Sequence, residues 1–182
     1  MQHREVVILE KLLYNTLPGS ITSLVASMNG NFLKVIRSLE PSFQRLIAMP
    51  PVTPRTMPTT MPKAGIYLLS EGDVHLYVGR TRDIRRRIGG HYKSGATHRG
   101  AAFAFRLARE ATGKCAASYK PEGSRAALML DPDFREAFVQ AKRRISRMDL
   151  RYVDEPDPTR QAVLEIYVAV SLSTPYNDFD TH

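Results

Sequence analysis

Apolar residues recur at helical spacing over Glu5 to Leu17, where Val6, Leu9, Leu13 and Leu17 predict a helix that Pro18-Gly19 stops. Ile21 to Met28 repeats the amphipathic pattern. Asn29-Gly30 then predicts a turn, and Asn31 to Glu40 a further helix ending before Pro41. Beyond residue 62 the pattern becomes mixed. AGIYLLS, from Ala64 to Ser70, and VHLYVG, from Val74 to Gly79, read as two short strands around a three-residue turn, Glu71-Gly72-Asp73. Thr81 is placed to cap a basic helix from Arg82 towards Tyr92. A helix from Ala101 to Thr112 closes at Gly113, and the loop GKCAASYKPEGSR follows. Asp131-Pro132 opens another helix reaching about Met148, and DLRYVDE from Asp149 reads as a third strand. Asp157-Pro158 repeats the start signal for a final helix to Ser173, which Pro175 cannot continue.

Two unlike halves meet at PPVTPRTMPTTMP, Pro50 to Pro62, in which five residues are proline and four threonine. Such a segment predicts a semi-rigid extended linker. The expected organisation is therefore a helical domain over 1–49, a linker over 50–62 and a mixed domain over 63–182 carrying a helical insertion at about 92–148. Short helix, Gly-bearing turn and second helix over Ile21 to Glu40 resemble a helix-turn-helix, which would offer Asn31, Lys34 and Arg37 to a major groove. A three-helix bundle used for assembly gives the same periodicity, and both readings stay open.

Charge adds a partner class. Lys and Arg number 26 against 18 Asp and Glu, a formal net charge of +8 that favours an anionic partner, nucleic acid before a membrane surface. The single cysteine, Cys115, excludes an intramolecular disulfide framework and a multi-cysteine zinc site, and the cytoplasm fits best. No uninterrupted apolar run approaches the roughly 18 residues that cross a bilayer, so no membrane anchor is expected.

If the hairpin turn centres on Gly72, Tyr67 opposes Tyr77 on one face while Ile66, Leu68, Leu76 and Val78 fill the other. Just beyond, RTRDIRRRIGGHY puts Arg87 and His91 four apart on one helical face, able to hold a phosphate oxygen and to move a proton. Gly89-Gly90 weaken that helix, at roughly 1 kcal/mol each against alanine, and leave the position of His91 open to a helix end. Glu165 is a lone acid in AVLEIYVAVSL, which either reaches solvent at a helix edge or is satisfied by a cation. Were that cation a metal, one protein carboxylate suits magnesium, which keeps waters and takes phosphate ligands. The basic end Lys142, Arg143, Arg144 and Arg147 is favourable at a helix C-terminus on its own account, and a substrate contact from this inserted helix stays open beside that reading.

Gly65-Ile66-Tyr67, Tyr77-Val78-Gly79, Arg87, His91, a glutamate on a late helix and Thr174-Pro175-Tyr176-Asn177, in this order, resemble the GIY-YIG nuclease family, with valine where its second motif has isoleucine. The resemblance implies an α+β fold, a small three-stranded antiparallel sheet flanked by helices, here preceded by a small all-α N-terminal domain. It implies a DNA endonuclease working with one divalent metal, Mg2+ or another such as Mn2+. Tyr67 would be general base or orient the water, with Tyr77 its companion, and Arg87 would stabilise charge on the phosphoryl oxygens. His91 would assist proton transfer, Glu165 would bind the metal, and Asn177 would support the site by hydrogen bonding. A phenol with an ordinary pKa of ~10 serves as a base only if arginine or metal lowers that value. Arg80, Arg82, Arg85, Arg86, Lys93 and Arg99 would track the DNA backbone. The alternatives are a non-catalytic DNA-binding protein, using the N-terminal helices and a basic surface, and a structural partner protein.

Overall fold

The side chain of Asn29 opens the first described helix, its Oδ1 accepting from the backbone N–H of Asn31 at 3.0 Å and of Phe32 at 3.3 Å. This helix, α1, spans Gly30–Ala48. The described residues are 29–114 and 124–177 of a computed structural model. The chain divides into two compact units, Met1–Ser38 and Leu39–His182, the second holding all the remaining elements. The predicted helices over Glu5 to Leu17 and Ile21 to Met28 lie outside the described residues, and with them the first half of the helix-turn-helix.

Pro41 does not end α1 but sits inside it. A proline in a helix interior loses a backbone hydrogen bond and costs about 3 kcal/mol. Leu39 and Leu46 are fully buried on the same helix, and two leucines at roughly 1.5–3 kcal/mol each outweigh that cost. Phe43 meets the ring of Tyr167 edge to face at 5.1 Å, and the Tyr167 hydroxyl donates to Glu40.

The segment 50–62 lies along the sheet. Val52 pairs with Leu150 through N–H to carbonyl bonds of 3.0 and 2.7 Å, and the Arg85 guanidinium donates to the carbonyls of Pro58 and Thr59. The segment is not extended throughout, contrary to the expectation from its composition: a turn forms at Thr53 to Thr56, where the Thr56 N–H donates to the Thr53 carbonyl at 3.0 Å.

Strands β1 (Gly65–Glu71), β2 (Val74–Thr81) and β3 (Asp149–Asp154) form an antiparallel sheet in the order β2-β1-β3. The turn is shorter than expected: Glu71 pairs with Val74, so it holds two residues, with Gly72 at φ 57°. A register irregularity between Leu69 and Ser70 then leaves Leu76 as an extra residue of β2. Together these shift the pairing, so Tyr67 opposes Gly79 and Leu69 opposes Tyr77. Nor is β1 half-buried, since every residue but Glu71 is enclosed.

That enclosure follows from helices on both faces. On the Tyr67 face pack α2 (Ile84–Tyr92), α3 (Ala102–Ala111) and α5 (Pro132–Ile145), filling a core with Ile88, Phe103, Phe105, Phe134 and Phe138. The short α4, Arg125–Leu128, was not expected from the sequence; Ser124 caps it. The other face buries Ile66, Leu68 and Val78. There α6, Pro158–Ser171, packs on β1 and β2, burying Leu164 and Val168 and capped by Asp157. The cap of α2 is Asp83 rather than Thr81, whose hydroxyl instead accepts from the Asp83 N–H at 3.0 Å. No described helix is long and apolar enough to cross a membrane.

Candidate active site

Tyr67 is fixed first, because it stands on the central strand with no exposed surface. Its ring lies across Gly79, where a Cβ would fall 2.4 Å from the phenol oxygen. Gly65 meets a similar limit at the start of β1, where a Cβ would come within 1.9 Å of the Val153 carbonyl. Both glycines are therefore required by close approach. Tyr77, two pairs further along β2, reaches the same face diagonally, its ring centroid 6.1 Å from that of Tyr67 and 4.7 Å from that of Phe103 in a stacked pair.

Helix α2 supplies two partners. Arg87 Nε donates to the Tyr67 hydroxyl at 3.3 Å and its Nη1 to the Gly100 carbonyl at 3.2 Å. His91 Nε2 lies 2.8 Å from the same hydroxyl. The two glycines did not end the helix: His91 is in its last turn and wholly buried. Burial first, and then the Arg87 charge, push the imidazole pKa down to about 3, so the ring is neutral at physiological pH. We assign the phenol proton to the bond with Nε2, which leaves the ring proton on Nδ1, an atom without a hydrogen-bond partner among the described residues.

The electrostatics of Tyr67 run against the sequence expectation. Arg87 pulls the phenol pKa down, but burial, joined by Tyr77, outweighs it and holds the value well above the ordinary one. Tyr67 is a neutral phenol here. Arg87 itself keeps its proton: burial opposes its charge, yet Tyr67 and Tyr77 raise its pKa overall.

Glu165 projects from α6 and is mostly buried, its Oε2 accepting from Arg80 Nε at 2.9 Å. Burial raises its pKa, while Arg80 and then Arg87 act in the opposite direction. Arg80 pairs with Ile66, so the acid meets β2 on the face that α6 covers rather than the one that carries Tyr67. Among the described residues no group of three or more His, Cys, Asp or Glu side chains could hold a metal. The donor set is one hard carboxylate, which fits an ion that brings most of its ligands as water and phosphate.

Asn177 serves β2. Its Oδ1 accepts from the Val78 N–H at 2.8 Å and its Nδ2 donates to the Val78 carbonyl at 2.7 Å, pairing the outer edge of that strand. Thr174 Oγ1 donates to the same Oδ1 at 2.9 Å.

Two arginines expected on a nucleic-acid backbone are engaged within the chain: Arg80 with Glu165, and Arg85 with Pro58 and Thr59. Arg82, Arg86, Lys93 and Arg99 are exposed, as are Lys34 and Arg37 on α1. The basic end of α5 divides. Lys142 is buried, donating to the carbonyls of Ser94 (2.9 Å) and Ala96 (3.3 Å), and so ties down the loop whose Gly100 receives Arg87. Arg144 grips Glu71 with two bonds of 2.7 and 2.8 Å. Lys142 was missed because its role depends on a loop nearly fifty residues earlier in the chain.

Residues 63–120 match the model of the GIY-YIG catalytic domain. The matched stretch contains Tyr67, Tyr77, Arg87 and His91, whereas Glu165 and Asn177 lie beyond it. No curated protein and no solved structure matches the chain.

Proposed function

We propose that this chain is a divalent-metal-dependent endonuclease that hydrolyses phosphodiester bonds in DNA. The catalytic domain that residues 63–120 match is that of a nuclease family, and nucleases of this type generally depend on a divalent metal. The observation that carries the reading is the cluster in which Arg87 and His91 both reach the Tyr67 hydroxyl. A partly buried carboxylate, Glu165, pairs with Arg80 across the sheet from that ring and feels the Arg87 charge.

Tyr67, neutral and without exposed surface, positions Arg87 for the attack rather than meeting the water itself, and Tyr77 flanks it. Arg87 keeps a full charge in a partly buried place and stabilises the charge growing on the phosphoryl oxygens, where a preorganised cation is most effective. His91, neutral, accepts the phenol proton at Nε2 and so leaves a lone pair of the oxygen facing Arg87 Nε. Glu165 would hold the metal, releasing Arg80 towards the substrate, and Asn177 keeps β2 in register. A bound divalent ion would supply charge neutralisation at the scissile phosphate. Arg82, Arg86, Lys93 and Arg99, with Lys34 and Arg37, would contact the backbone.

Plasmid nicking in magnesium against chelator tests this. Cutting is expected only with the metal, and Glu165→Ala should slow it at least about a hundredfold, the loss of several kcal/mol of charge stabilisation. Wild-type rates from Glu165→Ala overturn the assignment. Binding of duplex without any cutting would turn the reading to a non-catalytic DNA-binding protein.

A further inference from the structure

Beside the face of α2 that carries Arg87 and His91, along the one that carries Arg86 and Gly90, lies a groove of about 840 Å³ lined by Arg55, Arg86, Lys93 and Arg143. We propose that it grips the phosphate backbone of duplex DNA a few nucleotides from the bond that is cut, an inference that rests on the nuclease reading above.

The cations come from three separate stretches: Arg55 from the segment 50–62, Arg86 and Lys93 from α2 and its C-cap, and Arg143 from α5. No carboxylate lines the groove. Among the described residues the charged groups of Arg55, Lys93 and Arg143 have no ion-pair or hydrogen-bond partner, and Arg86 has only Asp83 at 3.8 Å. Like charges gathered without a counter-charge repel unless an anion enters.

The walls are built. Val52 is paired to β3 and Arg85 holds the Pro58 and Thr59 carbonyls, which fixes the segment bearing Arg55. Lys142 ties down the loop after Lys93. Gly89 and Gly90 form part of the lining and leave it without side chains there.

The chemistry selects a backbone. The charged groups of the groove are all donors that match phosphate oxygens, with no acid to accept from a sugar hydroxyl or an exocyclic amine. Arg86, Gly90 and Lys93 share one face of α2, and Arg87 and His91 lie on the face about 100° further round, so groove and cluster are separated by most of a helix diameter. At roughly 10 Å across and 3.4 Å per nucleotide, that is about three nucleotides along a strand.

The test measures affinity for a fluorescent duplex of about 20 base pairs by anisotropy, in chelator and across a salt series. Arg55→Gln, Lys93→Gln and Arg143→Gln are compared with Arg135→Gln, which removes the same charge from an exposed position outside the groove. Each groove variant is expected to bind roughly three- to tenfold more weakly at low salt and to lower the log–log salt slope by about one. Arg135→Gln is expected to change affinity less than about twofold, and all four variants should melt as the wild type does. Groove variants indistinguishable from Arg135→Gln, with wild-type binding intact, overturn the groove alone. A wild type that neither binds duplex nor nicks it in magnesium overturns the nuclease reading beneath it. Loss of binding to anionic phospholipid vesicles, with duplex affinity kept, overturns the groove's assignment to DNA.

Discussion

His91 and Tyr67 show what a buried pair of titratable groups does to stability. The native imidazole refuses a proton until about pH 3, whereas the unfolded chain accepts one near its ordinary value of 6.5. The group's contribution is therefore intact above pH 6.5 and is lost as pH falls below it, at up to about 1.4 kcal/mol per pH unit. Urea melts from pH 7 to 4 should show His91→Gln with a shallower decline than wild type; parallel declines would place the proton elsewhere. Arg87 and His91 were legible because their four-residue spacing on one helix is a local property. That Tyr67 would be sealed from solvent was not legible, because the helices that seal it, α3 and α5, lie in the insertion. Gly79→Ala acts at the same scale: its Cβ must displace a ring held on both sides, an overpacking worth about 1–3 kcal/mol. Lower urea midpoints together with lost nicking are expected. An unchanged midpoint would mean that the ring moves freely.

Among the elements, β2 and β3 are the sheet's two edge strands; β3 pairs with Val52, whereas β2 lacks an outer neighbouring strand. The Asn177 amide stands in for that strand with two bonds to Val78, and the Tyr176 N–H adds a third to the Leu76 carbonyl at 3.2 Å. Asn177→Ala should destabilise by about 1–3 kcal/mol and speed hydrogen exchange at the Val78 amide more than at β1 amides. Equal protection in both proteins would show that the edge needs no clamp. The strands themselves could be read from apolar alternation and turn residues, but their register could not. One residue fewer in the turn and one extra in β2 moved every pair, and neither leaves a mark on the periodicity. Likewise Pro41 signals a helix end by its own chemistry, and the buried leucines on either side override it.

At the scale of the whole molecule, the α+β architecture was legible and the use of its middle was not. The insertion between α2 and β3 supplies most of the aromatic core over Tyr67, a wall of the basic groove in Arg143, and the lysine that holds the Gly100 loop. Each of these roles depends on long-range packing, which a single chain's spacing does not encode. Likewise the segment 50–62 reads as a spacer by composition, yet three contacts fasten it down. The central strand is made early but finds one neighbour, β3, only after the insertion, and Glu165 and Asn177 follow later still. On the nuclease reading, a ribosome thus delivers the guanidinium and both phenols long before the acid. A chain cut off before α6 would then hold the guanidinium and both phenols without Glu165, and is expected not to nick DNA.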